Sequence, residues 1–280
     1  MDAVVVVLVL AAALMHAVWN TLVKIGDDRL MAMAMVIGFN ALLAPVLIFA
    51  APAPAPASWI FIAISVVIHS AYFYFLIAAY RVGDLSHAYP LARGSAPLMV
   101  AAGAAVFADE TLGAVELAGI VVISAGIVSL IVGGGRIGGD WRIVVYPLAT
   151  GISIAAYTVA DGLGVRLSGN PASYIGWLFV FSAVPIVVFA LARRRAAFFT
   201  GIRKGWKPGV LGSLLAFCAY ALVIWALSLG AMAHVSALRE TSVVIAALIG
   251  ARILGEPFGR RRVLAACTVA VGVVMLNVAA

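Results

Sequence analysis

From residue 3 to residue 279 the chain is a train of apolar stretches, each about as long as the ~20 residues a helix needs to cross ~30 Å of hydrocarbon, parted only by brief runs rich in charge, glycine or proline. Hydrophobic residues make up 65% of the chain and charged residues 10%, against roughly 45–50% and about 25% in a soluble domain. No soluble core hides that much apolar surface, so the solvent is lipid. Apolar windows and their punctuation predict ten spanning helices, at 3–25, 30–50, 58–80, 86–107, 113–133, 142–163, 171–192, 208–229, 232–254 and 260–279. Met1–Ala13 has the apolar core of a signal peptide, but Asp2 stands where a basic segment belongs and the run continues to Val23, so it reads as a retained first span. Pro52, Pro54 and Pro56 alternate with alanine and predict an extended connector.

The second half repeats the first. Gly83/Gly230, His87/His234 and Leu91/Leu238 align at one offset. Shifted by one residue, Arg93/Arg239, Glu110/Glu256, Gly113/Gly259, Gly126/Gly272 and Leu130/Leu276 align too. The glycines 133–135 and 138–139 mark the join, giving repeats 1–135 and 140–280. A repeat of five spans enters the membrane the opposite way up from its copy, the inverted plan of many secondary transporters, whose substrate site lies at mid-membrane between repeats. The expected fold is all-α and integral to the membrane, with ten transmembrane helices in two inverted five-helix repeats. All 18 basic residues except Arg93, Arg166 and Arg239 follow the odd-numbered helices. The positive-inside rule then puts those loops in the cytoplasm and both termini outside. The formal charge of +7 is thus a topology signal, and no nucleic-acid partner is expected.

Ionisable groups inside spans cost at least ~2.5–3.5 kcal/mol at a helix centre, so they face protein or water and often mark a pathway. Helix 1 sets His16, Trp19 and Asn20 on one stripe; they either face a cavity, with His16 as a proton or substrate ligand, or bond neighbouring helices. Helix 3 carries His69, Tyr72, Phe73, Leu76 and Tyr80 at helical spacing beside Tyr74 and Phe75, an aromatic wall for a solute or ordinary packing. In helix 4, Pro90 and Pro97 predict an interruption beside Tyr89 and Arg93. Arg93 has the planar donor fork that holds a carboxylate or phosphonate, or else it pairs with Glu240 or Asp161. Arg239 and Glu240 lie about 100° apart around helix 9, one suited to a cavity and the other to a neighbour; Glu240 is a second candidate proton site. Tyr157 and Asp161 form a polar patch on helix 6, and Tyr220 and Trp225 of helix 8 are candidates to complete an aromatic lining. Gly119 and Gly126 of helix 5, with Ala265, Gly272 and Ala279 of helix 10, have the small-residue spacing of scaffold helices. Glu110 and Glu256 are expected to cap the helices that follow them. Cys218 and Cys267 lack a paired spacing, and no catalytic triad, nucleotide loop or metal spacing occurs. No enzyme activity and no cofactor are expected.

The residues His16-Ala17-Val18-Trp19-Asn20, the run Ala79-Tyr80-Arg81-Val82-Gly83-Asp84-Leu85-Ser86 into Tyr89-Pro90-Leu91-Ala92-Arg93-Gly94-Ser95-Ala96-Pro97, and Gly255-Glu256-Pro257, set in two five-helix repeats, resemble the EamA-type permeases of the drug/metabolite transporter superfamily. The resemblance spans the whole chain and implies a bacterial-type inner-membrane secondary transporter, commonly an exporter of amino acids or related metabolites. The aromatic residues make aromatic amino acids the nearest guess. A subgroup found near phosphonate utilisation has a similar Tyr-Pro-Leu-Ala-Arg-Gly run, which suits Arg93 as an anion ligand. Many members carry basic residues after helix 2, where this chain has its uncharged Pro-Ala stretch, so the usual orientation is not carried over. The expected mechanism is alternating access, moving a small zwitterionic or aromatic substrate through a cavity lined by His16, Trp19, Asn20, Tyr72, Tyr89, Arg93, Tyr157 and Glu240, in a protein that works as a monomer in the bilayer. The alternatives are an uncoupled channel-like facilitator, a phosphonate or organic-anion permease, and a membrane receptor that keeps the fold without transport.

Overall fold

The computed structural model describes residues 2–25, 28–82, 85–131, 140–253 and 260–279. Its elements are all helices: α1 (Ala3–Ile25), α2 (Arg29–Ala50), α3 (Trp59–Val82), α4 (Leu85–Phe107), α5 (Ala114–Val128), α6 (Arg142–Leu167), α7 (Pro171–Arg194), α8 (Ala196–Leu229), α9 (Met232–Arg239), α10 (Thr241–Ile253) and α11 (Arg260–Ala279), with 3-10 turns at Pro56–Ser58 and Ser129–Ile131. Among the described residues seven helices, α1 to α4 and α6 to α8, are long and apolar enough to cross a membrane, and the apolar parts of α5 and α11 are shorter. The fold is an all-α, multi-span membrane fold. The central glycine run, Gly83, Glu256 and Gly259 lie outside the described residues, as do the side chains of Tyr80 and His87.

The helix starts follow from local chemistry. Asp28 caps α2 by accepting from the backbone N–H groups of Leu30 and Met31 at 3.1 and 3.2 Å. Asn170 does the same for Ala172 and Ser173, with Pro171 in the first turn where its missing N–H costs nothing. Glu116 accepts from the Gly113 N–H at 2.6 Å and closes the first turn of α5. Glu110 does not cap α5 as expected: its carboxylate accepts from the Met232 N–H at 2.8 Å, capping α9 in the other half of the chain.

Three boundaries differ from expectation for physical reasons. α4 runs unbroken through Pro90 and Pro97, because each proline removes a single backbone bond and neighbouring helices hold the rest in place. The interruption falls instead in the second repeat, where α9 ends at Arg239 and α10 begins at Thr241. The basic segment after α7 is not a loop: α7 and α8 meet at Arg195, which has φ 48°, and Arg203, Lys204 and Lys207 ride on a 34-residue α8.

The main packing is between the halves. α3 lies along α6 as α8 lies along α1; α4 meets α6 as α9 and α10 meet α1; α2 packs on α7, and α5 on α11. Exchanging α1–α5 for α6–α11 returns the same pairings. The central core draws Val5, Val9, Ile62 and Val100 from one half and Tyr174, Leu178, Leu227 and Leu238 from the other. Phe49, Val67, Val106 and Val278 are exposed on the outer surface, as lipid contact demands. Between helices already in lipid there is little hydrophobic drive, so close packing does the work. Accordingly, a Cβ on Gly272 would stand 2.6 Å from Ile123 Cγ1 and 2.7 Å from the Gly119 carbonyl oxygen.

Candidate functional site

Near the middle of the long helices, α1, α2, α3, α6, α7, α8 and α9 enclose a cavity with about 80 Å³ of room for the centres of water-sized molecules, enough for several waters at about 10–15 Å³ each by that measure. Helical spacing brings the wall together. His16 and Trp19 are one turn apart on α1, with the indole N–H donating to His16 Nδ1 at 3.2 Å. His69, Tyr72 and Phe73 come from α3, Tyr157 from α6, Tyr220 from α8 and Arg239 from the last turn of α9. The His69 ring stacks on Tyr157 with centroids 4.1 Å apart and meets Tyr220 edge-on at 5.6 Å. A second hollow of about 480 Å³ shares Phe73 with the first and runs between α3, α6 and α7 to Arg81 and Arg193.

Arg239 is the fixed charge of this wall. Its Nη2 donates to Tyr157 Oη at 3.2 Å, and its guanidinium lies 5.7 Å from the Tyr220 ring centroid. Among the described residues it has no carboxylate partner within ion-pair distance. Its repeat mate Arg93 is neutralised. Arg93 Nε is 2.9 Å from Glu240 Oε2, close enough for an ion pair though not aligned as a hydrogen bond, and Nη2 donates to Ser242 Oγ at 3.3 Å. The two side chains are only 4% and 1% exposed. The local reason is legible on α9: Arg239 and Glu240 point about 100° apart, so the arginine faces the cavity while the carboxylate turns to α4.

The structure therefore divides the expected lining. His16, Trp19, Tyr72 and Tyr157 meet in the wall. Asn20 lies a turn away, donating to the His16 carbonyl at 2.9 Å. Tyr89 packs against the cluster of Ile120, Ile123 and Ile127, and Arg93 and Glu240 form the buried pair behind the wall. Trp225, 52% exposed, points out of the bundle. Arg239, His69 and Tyr220 take the vacant places, with Asn40 and Ser182. Asn40 carries the only uncharged polar side chain within α2; its amide nitrogen reaches Ser213 Oγ at 2.7 Å and the Val36 carbonyl at 3.1 Å. An amide in an apolar span was the available signal for it.

The two ends of the bundle are tied differently. At the end bearing Arg81 and Arg193, Arg194 binds Asp28 through Nε at 2.8 Å and Nη2 at 3.1 Å. Partial burial pushes the Asp28 carboxyl up, but the Arg194 hydrogen bond, the N–H groups of Met31 and Leu30 and the Arg194 charge outweigh it and hold it below the usual range. At the opposite end Arg166 reaches Glu110 Oε1 and the Gly230 carbonyl at 2.7 Å and the Leu227 carbonyl at 3.0 Å. That clasp joins the loop after α4 to α6 and to the turn between α8 and α9.

Residues 141–278 match the EamA-like transporter family. No curated protein matches the chain in sequence. One solved protein structure superposes with a TM-score of 0.78 over 99% of this chain and 98% of its own, at 15% identity, which shows a shared fold. The second half of the chain is therefore an EamA-like transporter family domain of the drug/metabolite transporter superfamily.

Proposed function

We propose that this membrane transporter exports small carboxylate-bearing metabolites, aromatic or zwitterionic amino acids foremost, by alternating access. The observation that carries the reading is Arg239, a guanidinium without a carboxylate partner among the described residues, facing a water-sized cavity walled by Trp19, Tyr72, Tyr157 and Tyr220. A guanidinium has five donors in a planar fork, and among the described residues Tyr157 engages one of them. The remaining donors suit a carboxylate, and the surrounding rings suit an aromatic or apolar body. Arg93 does not offer this, because Glu240 already occupies it.

The closed end and the open end support the direction. The Arg166 clasp shuts the bundle away from the basic end, whereas the hollow reaching Arg81 and Arg193 begins at Phe73, on the cavity wall. With the basic end in the cytoplasm, substrate enters from inside and leaves when the halves rock and the clasp parts. Counterflow in proteoliposomes with labelled amino acids tests this. Phenylalanine exchanges in the wild type, and Arg239→Ala raises its half-saturating concentration about thirtyfold or more, the ~2–5 kcal/mol lost when a buried charge pair is truncated. Wild-type counterflow that is indifferent to Arg239→Ala refutes the site.

A further inference from the structure

One charged group near the cavity has no part in holding a carboxylate. Asp161 of α6 is fully buried and held by hydroxyl groups, accepting from Tyr174 Oη at 3.0 Å and from Tyr220 Oη. Among the described residues no lysine, arginine or histidine lies within ion-pair distance of it. A carboxylate taken out of water without a cation is costly to keep ionised. Lone ionisable groups at membrane depth commonly serve a pathway.

A carrier for the compensating charge stands beside it. His69 of α3 lines the cavity, and Tyr220, whose hydroxyl binds Asp161, packs against its ring. His69 Nδ1 lies 2.9 Å from the Ser65 carbonyl oxygen, which only accepts, so in neutral imidazole the hydrogen sits on Nδ1 and Nε2 is the basic nitrogen. Tyr220 links this pair to Arg239: its hydroxyl donates to Asp161, while its ring meets His69 edge-on and carries the Arg239 guanidinium. The other ionisable groups near the middle of α6 are Tyr72 on α3, Tyr89 and the Glu240-bound Arg93 on α4, Tyr174 on α7, and Tyr157 on α6 itself, while Arg142, Tyr146 and the Glu110-bound Arg166 stand toward its two ends.

Resting on the transport reading above, we infer that Asp161 and His69 form the site that binds the coupling proton, and that Tyr220 relays its occupancy to Arg239. A proton entering the cavity adds to His69 Nε2 and stays on the imidazole, or is taken up by Asp161 instead. In both cases the pair goes from one net negative charge to none. With the proton absent, the negative charge holds the Tyr220 hydroxyl firmly; with it bound, that hold weakens beneath the guanidinium that binds substrate. Substrate and proton thus compete or alternate through one tyrosine.

The test separates coupling from transport. Phenylalanine counterflow at equal pH reads transport alone, accumulation under an imposed pH gradient reads coupling, and infrared titration of the solubilised protein reads the buried carboxyl directly. The wild type accumulates phenylalanine under the gradient, and Asp161→Asn and His69→Gln reduce the ratio of accumulation to counterflow to its value without a gradient. A protonated-carboxyl band that titrates in the wild type disappears in Asp161→Asn. Tyr220→Phe, which only deletes the hydroxyl, retains the band with an altered titration and serves if Asp161→Asn does not elute as folded protein. Robust wild-type counterflow with accumulation blind to the pH gradient overturns the inference, as does a carboxyl band unaltered by Asp161→Asn. Absence of phenylalanine counterflow removes the substrate reading instead, and the band then decides the proton site by itself.

Discussion

Arg93 and Arg239 occupy matching places in the two repeats, yet a single neighbour gives them different work. Glu240 follows Arg239, and its counterpart after Arg93 is Gly94. The carboxylate of the second copy therefore neutralises the arginine of the first, leaving Arg239 for the cavity. A buried pair of this kind is hard to break one side at a time, since the survivor is an uncompensated charge, at ~3–5 kcal/mol. Arg93→Ala is therefore expected to lower the melting temperature in detergent sharply, and Arg93→Met combined with Glu240→Gln to recover most of the loss. Wild-type melting of Arg93→Ala contradicts the pair. Much of this was legible in the residues: the arginines stood out by position, and the 100° split between Arg239 and Glu240 follows from helix geometry. Which arginine would be matched by Glu240 was not legible, because the partner lies 147 residues away and only packing brings α4 against α9 and α10.

Helix limits were the most legible feature, because α1, α2, α6 and α7 begin within a residue of their apolar windows, and α2 and α7 carry their own caps. The exceptions have causes beyond the local window. α4 tolerates two prolines because surrounding helices supply the packing, and α9 stops at Arg239 where the arginine and the glutamate turn to different neighbours. The basic stretch 203–207 continues α8 because helix propensity persists where lipid burial ends. α5 and α11 show what small residues achieve in a span: the Gly119–Gly272 contact leaves no room for a Cβ. Gly272→Val is expected to cost about 1–3 kcal/mol, the usual range for overpacking, read as loss of thermal stability, whereas Gly169→Ala at the loop before α7 tests a φ of +74° with open space around it and so isolates backbone strain from crowding. Equal stability of Gly272→Val and the wild type argues against the tight α5–α11 seam.

At the scale of the molecule, the charge distribution and the packing make independent statements. By the positive-inside rule the end bearing Arg81, Arg193 and Arg194 is expected in the cytoplasm, so a C-terminal phosphatase reporter is expected to be active and a fluorescent reporter that matures only in the cytosol to stay dark; the reverse pattern inverts the direction proposed for transport. The sequence by itself determined the class of fold, the ten-stretch plan and the basic asymmetry, because lipid imposes its length and polarity rules stretch by stretch and those rules need no knowledge of neighbours. It also singled out most of the polar groups that later appear at the centre, Asn40 and Ser182 excepted. Tertiary structure alone decided which of them face water: that Arg239 is open while Arg93 is paired, that Asp161 is held by phenols from α7 and α8, and that Glu110 crosses to α9. Those outcomes depend on helices of opposite halves lying side by side, and a one-dimensional pattern fixes the face of a helix but not the partner set against it.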